Sequence, residues 1–284
     1  MRIARFAKGG DVAYGVVGET QSDGAAAGQT VAGVRGLTVI AELRGHPFGP
    51  GRGSVQFTGA TYPLDQVRLL APVLPSKVIA VGGNYAGHPR EMSAGEAEPA
   101  GFRPGGEPVL YLKPSTSVVG HGDEIAYPVK LTQRVDYEGE MAVIIGRLCR
   151  EVPAAQAAEV IFGYTCANDV TARDLQARDG QWTRAKGFDT FCPLGPWIET
   201  DVDPADLELT TMVNGEIRQR ARTSELLYDV PALIEYVSTV MTLLPGDVLL
   251  TGTPAGVGPL NDGDEVTVTV DTIGSLANRV VGRD

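Results

Sequence analysis

Four short segments of this 284-residue chain gather side chains able to do chemistry. In VDYEGEMAVIIG, residues 135–146, Asp136, Glu138 and Glu140 alternate, so on a strand they share one face. The apolar run that follows carries at least Glu140 toward the interior. Three like charges repel, and burying them unpaired costs several kcal/mol. A divalent cation removes both costs at once; a solvated strand edge is the competing reading.

The second segment, ANDVTARDLQ (167–176), ends an apolar stretch with Asp169, and Arg173, Asp174 and Gln176 follow in a turn or short helix. An Asp at a strand end also serves as a helix N-cap. Added to the two glutamates, it completes the oxygen-only set that a hard cation takes while keeping positions open for substrate. Mg²⁺ fits best, with Mn²⁺ or Ca²⁺ as alternatives, whereas Zn²⁺ would recruit His or Cys.

The third segment is GGNYAGHPREM (82–92). Of the three histidines, His46 and His121 sit in Gly/Pro-type turns, while His88 precedes Pro89, a residue suited to a first helical turn. Glu91 lies three positions on, and an i, i+3 pair faces one way, so Glu91 can hold the imidazole and tune it as a base. Exposed His/Glu neighbours are common without any such role. In the fourth segment, 179–199, Lys186 lies among Trp182, Phe188 and Phe191. It is either a snorkelling surface lysine or a fixed positive charge for an anionic substrate. TGTP (251–254) adds the hydroxyls of Thr251 and Thr253 as further substrate contacts.

The elements that must position these groups are mostly strands. Residues 1–72 read as a small β-rich unit, with β-prone stretches at 2–6, 13–17 and 38–43 and a Gly/Ala-rich loop at 22–33. Residues 69–75 hold two prolines and read as a linker. From residue 73 to 284 the chain reads as one mixed, predominantly β catalytic domain. VIAVGGNY, PVLYLKP, MAVIIGRL, VIFGYTCANDV, DVLLTGTP and DEVTVTVDTIG are its strands, several buried on both faces. Helices are predicted over 154–160 and 231–241, where Leu233, Val237 and Met241 recur at helical spacing. Residues 93–107 lack periodicity and read as a loop or lid.

Composition agrees with a turn-rich β fold: 36 glycines and 19 prolines accompany 43% hydrophobic residues. The net charge of −11 argues against nucleic acid or an anionic membrane as partner. It leaves room for a small anionic substrate, because a bound cation reverses the local field. Cys149, Cys166 and Cys192 are odd in number and dispersed, which suits reduced thiols. With no signal-peptide h-region and no long apolar span, the expectation is a cytoplasmic protein.

Taken together, VGGNYAGHPREM, LYLKPSTSVVGHGDEI, VDYEGEMAVIIG, GYTCANDVTARDLQ, QWTRAKGFDTFCPLGPWI and LLPGDVLLTGTPAGVG closely resemble the fumarylacetoacetate hydrolase superfamily, in the same order from about residue 77 to the C-terminus. The first 70 or so residues look like the small N-terminal domain of bacterial members. The resemblance implies a β-roll catalytic domain, a homodimer, and metal ligands at Glu138, Glu140 and Asp169. It implies a catalytic dyad of His88 and Glu91 on a lid helix, a catalytic Lys186, and substrate contacts from Arg173, Gln176, Lys113 and Thr253. Gly83 and Gly87 depart from it, since many relatives carry Arg or Leu at the first and Asp at the second.

The chemistry implied is cleavage of a C–C bond in a 2,4-dioxo acid, such as an acylpyruvate, through a metal-stabilised enolate. Decarboxylation of a β-keto acid such as oxaloacetate, or keto–enol or double-bond isomerisation of a 2-hydroxydienoate, uses the same enolate. A catalytically silent metal-binding dimer is expected to have lost His88, Glu91 or Lys186, and all three are present.

Overall fold

The computed structural model describes residues 1–19, 37–48, 55–87 and 106–284, and the backbone alone at 25–26 and 29–30. His88 and Glu91, the lid reading at 93–105 and most of the loop reading at 22–33 lie outside the described residues.

Long β-branched runs make the centre of the molecule a sheet. In Gly139–Ile145 every residue is buried, because the strand is covered on both sides. Met141, Val143 and Ile145 pack with Leu233, Ile234 and Val237 of the helix Val230–Val240. Ala142 and Ile144 pack instead with Ala167, Leu194 and Leu250. A strand sandwiched in this way has no use for alternation, which is why MAVII reads as an unbroken apolar run. Each large side chain so buried contributes about 1.5–3 kcal/mol.

This strand lies inside a twelve-stranded sheet. On one side it pairs with Val248–Leu250, then Val78–Gly82 and Val109–Lys113. On the other it pairs with Ile161–Asn168, then Cys192–Glu199. The N-terminal strands Arg2–Lys8, Asp11–Glu19, Thr38–Leu43 and Phe57–Pro63 continue the same sheet, joined to Cys192–Glu199 through Arg2 and Ile3.

Besides a two-stranded pairing of Ala25–Ala26 with Gln29–Thr30, two smaller sheets complete the architecture. One has five strands, ending in Glu208–Val213 and the edge strand Glu216–Arg222. The other joins Thr171–Ala172, Val135–Tyr137 and Gly258–Leu260. The protein is therefore predominantly β, as its composition suggests.

Three sequence expectations change. Residues 69 and 70 belong to the strand Arg68–Leu70, paired with Arg2–Lys8, since the prolines that break regularity come only afterwards, at Pro72 and Pro75. The helix read over 154–160 is a 3₁₀ helix, Ala154–Glu159, not an α-helix. Most important for the site, 135–145 is not one strand. Val135–Tyr137 belongs to the three-stranded sheet and Gly139–Ile145 to the large one, and the chain crosses between them at Glu138.

Candidate metal centre

That crossing separates the three acidic residues of the first segment. Asp136 is turned to two guanidinium groups, accepting from Arg134 Nε at 2.9 Å and Arg173 Nε at 2.9 Å. Glu138 and Glu140 turn instead toward Asp169. One carboxylate oxygen from each of the three lies within 4.8 Å of the others, and all three residues are buried. Asp169 reaches this point because Ile161–Asn168 runs antiparallel to Gly139–Ile145, with Asn168 opposite Gly139.

Three buried cations face the carboxylates. Lys186 Nζ stands 2.8 Å from both Glu138 Oε2 and Asp169 Oδ2. Lys113 Nζ donates to Asp169 Oδ1 at 2.5 Å and to Val170 O at 3.2 Å. Arg173 Nη2 donates to Glu138 Oε1 at 2.5 Å and Nη1 to Gln176 Oε1 at 2.6 Å. Lys186 is therefore no snorkelling lysine. It is carried by the short helix Thr183–Lys186, and burial pulls its pKa down while Asp169 and Glu138 outweigh that and hold it raised.

Glu140 differs from its neighbours. Its Oε2 accepts from the Gly252 N–H at 2.5 Å, and it has no direct lysine or arginine partner among the described residues. Burial, then Asp169 and Glu138, push its pKa well above the usual carboxylate range; Lys186 and the Gly252 N–H oppose this. A buried cluster in which one carboxylate resists ionisation is what an added cation relieves. Three hard oxygen ligands with no sulfur or imidazole among them fit Mg²⁺, Mn²⁺ or Ca²⁺.

The structure places the other sequence-predicted residues around this centre. Arg173 and Gln176 begin the helix Arg173–Asp179, both buried, with Arg173 spent on Asp136, Glu138 and Gln176. The Thr253 hydroxyl does not point outward as a ready substrate contact: it donates to Gly139 O at 2.9 Å and accepts from Gln219 Nε2 at 2.8 Å. The Thr251 hydroxyl is likewise spent, on Met141 O at 2.9 Å. Gly83 adopts φ +70°, a left-handed conformation that favours glycine, so an arginine there would add strain. A Cβ on Gly87 would meet Ala255 Cβ at 3.3 Å.

Two participants were missed in the sequence. Tyr111 donates its hydroxyl to Asp169 Oδ2, its ring centroid lies 5.1 Å from Lys186 Nζ, and it packs T-shaped with Trp182, ring centroids 5.0 Å apart. Its signal was available, since it lies two residues before Lys113 on one strand and so shares its face. Gln219 comes from a different sheet altogether and carried no local signal.

Comparison with known proteins agrees with this architecture. The family model described as fumarylacetoacetate (FAA) hydrolase C-terminal matches residues 77–281, and one for an Rv2993c-like N-terminal region matches residues 1–72. Protein Rv2993c of Mycobacterium tuberculosis is 55% identical over 243 residues, 84% of this chain and 87% of that protein. Oxaloacetate tautomerase YisK of Bacillus subtilis is 40% identical over 231 residues, 77% of this chain and 75% of that protein. Among solved structures, 5-carboxymethyl-2-hydroxymuconate delta-isomerase from Mycobacterium smegmatis is 50% identical, with both chains covered in full and a TM-score of 0.84. Maleylpyruvate hydrolase from Sphingobium sp. SYK-6, solved with manganese(II) and pyruvate, is 32% identical over the full length of both chains, with a TM-score of 0.74.

Proposed function

The chain belongs to the fumarylacetoacetate hydrolase family, and on that premise we propose that it is a divalent-metal-dependent enzyme that moves a proton on a small anionic 2-oxo acid, interconverting its keto and enol forms or shifting its double bond. The observation that carries this reading is the buried convergence of Glu138, Glu140 and Asp169 around the Lys186 ammonium. Enzymes of this family depend on a divalent metal. Bound at this triad, the cation would act as a Lewis acid toward the carboxylate and keto oxygens of a 2-oxo acid.

The chain's own residues supply the rest. Four buried carboxylates, Asp136 included, face three buried cations. A dication added to that balance leaves the centre positive, which favours an anionic substrate. Lys186 uses two of its three N–H donors on Glu138 and Asp169. The third is left to meet a substrate oxygen on which charge develops, from a buried lysine already held in place. Tyr111, Trp182 and Lys113 keep Lys186 and Asp169 from swinging away.

Proton transfer is preferred to bond cleavage because a relative 40% identical is named a tautomerase and a solved structure 50% identical is named an isomerase. A second reading, hydrolysis of a 2,4-dioxo acid, is supported by the likeness to maleylpyruvate hydrolase. There His88, held by Glu91, would take a proton from the attacking water. Decarboxylation of oxaloacetate shares the enolate.

Proton NMR of the protein with Mg²⁺, given oxaloacetate and acetylpyruvate in parallel with a chelator control, tests these readings. Faster keto–enol exchange of oxaloacetate, lost on chelation, is the expected result. Pyruvate plus acetate from acetylpyruvate would establish the second reading in its place, and no chelator-sensitive change in either substrate would overturn both.

A further inference from the structure

The backbone at Glu138–Gly139 crosses from one sheet to another, and a crossing residue loses the ladder partners that its N–H and C=O would have within a strand. In this protein other segments replace them. Glu138 N–H donates to Asn168 Oδ1 at 2.9 Å, and Glu138 O accepts from Asp169 N–H at 2.8 Å. Gly139 N–H donates to Gln219 Oε1 at 3.0 Å, and Gly139 O accepts from the Thr253 hydroxyl at 2.9 Å.

Gln219 is the unexpected member of this set. It belongs to the edge strand Glu216–Arg222 of the five-stranded sheet, between the exposed Arg218 and Arg220, yet it is itself 1% exposed. A buried amide is tolerated when its hydrogen bonds are made. Here the oxygen takes Gly139 N–H, while Nε2 donates to both Thr253 Oγ1 and Pro254 O, each at 2.8 Å.

One amide thus ties together the two segments that aim Glu140. Gly139 is the residue between Glu138 and Glu140, and Thr253 follows Gly252, whose N–H holds the Glu140 carboxylate at 2.5 Å. Contact is close at 139, since an added Cβ would fall 1.9 Å from Thr211 Oγ1 on the strand Glu208–Val213 of the five-stranded sheet.

We propose that Gln219 is a positioning residue for the metal ligands: its side-chain amide, reaching in from the five-stranded sheet, fixes the Glu138–Gly139–Glu140 corner and the Thr253 turn so that both glutamates meet Asp169. The inference rests on reading the triad as a metal site. Groups that orient ligands without touching the metal are worth about 10–100-fold in affinity.

The test is Mn²⁺ titration calorimetry on the full chain, with melting in chelator measured alongside. Gln219→Met keeps the volume and removes all three hydrogen bonds. It is expected to raise the Mn²⁺ dissociation constant about 10–100-fold while still melting cooperatively. Thr253→Val is expected to weaken Mn²⁺ in the same direction, and Thr253→Ser, which restores the hydroxyl, to recover it. A folded Gln219→Met protein with wild-type Mn²⁺ affinity overturns the proposal. If Gln219→Met does not fold, equal affinities of Thr253→Val and Thr253→Ser overturn it instead. Wild-type protein that binds no Mn²⁺ overturns this proposal together with the metal reading, and so separates the two failures.

Discussion

Two sets of buried carboxylates stand at opposite ends of the strand Gly139–Ile145, and they are satisfied in different ways. Near its C-terminal end, Asp247 is fully buried and alone. Its oxygens accept from the Ser76 hydroxyl at 2.5 Å, from the backbone N–H groups of Leu244 at 2.8 Å and Lys77 at 3.3 Å, and from the Lys77 ammonium. One charge meets one counter-charge, and neutral donors take up the remaining lone pairs. Near the N-terminal end, Glu138, Glu140 and Asp169 crowd within 4.8 Å, and Glu140 lacks a direct counter-charge among the described residues. An Asp that serves the fold brings its own donors, whereas at the crowded end Glu140 is left with a single backbone donor, the arrangement expected of a cluster that awaits a cation.

The largest expected effect tests the ligand end. Glu138→Ala or Asp169→Ala removes one of three carboxylates, so Mn²⁺ binding should disappear in calorimetry; retained binding would break the contrast at once. Asp247→Asn should do the reverse. Metal affinity should stay at the wild-type value while chemical denaturation shows a loss of about 2 kcal/mol, the scale of a hydrogen bond to a charged group, because the Lys77 partner is partly exposed.

A smaller effect lies in pH. Glu140 has its folded-state pKa raised, chiefly by burial and then by Asp169 and Glu138, so the metal-free folded protein holds a proton that the unfolded chain releases earlier. Its contribution to stability is therefore present at low pH and is lost as pH rises from the ordinary carboxylate range through the raised value. Melting temperature in chelator should fall across that window, and saturating Mn²⁺ should abolish the fall. A chelator profile that rises over the same window would contradict the raised pKa.

The smallest effect concerns the three cysteines. Burial pushes the Cys166 and Cys192 thiols up to about 12, and Cys149 is the partly exposed one. Alkylation of the native protein should label Cys149 alone, with Cys166 and Cys192 reacting only in denaturant and turnover unchanged by the first label. Labelling of Cys192 in the native state would show that its shell of buried neighbours opens.

Much of this molecule was legible in one dimension. The apolar runs announced the strands because a strand covered on both faces must be apolar throughout, and Leu233 and Val237 at helical spacing announced the helix Val230–Val240. Glu138, Glu140 and Asp169 could be grouped before any coordinates because carboxylates beside apolar runs call for a compensating cation, while Lys186 joined them only through the family resemblance. Asp136 shows where such reasoning fails. Period-two spacing holds only within one strand, and the chain changes sheets at Glu138, so Asp136 is delivered to Arg134 and Arg173 instead.

The sequence by itself determined the classes of element, the predominantly β character and the acidic and cationic residues available to a site, because these depend on local periodicity and on the cost of burying charge. Only the tertiary structure decided which carboxylates converge, that Lys186 stands between two of them, that the Thr253 hydroxyl turns inward, and that a glutamine 80 residues beyond Gly139 braces the corner. Those outcomes depend on how three sheets meet, and a contact between sheets is set by strand order and packing rather than by the spacing of residues along the chain.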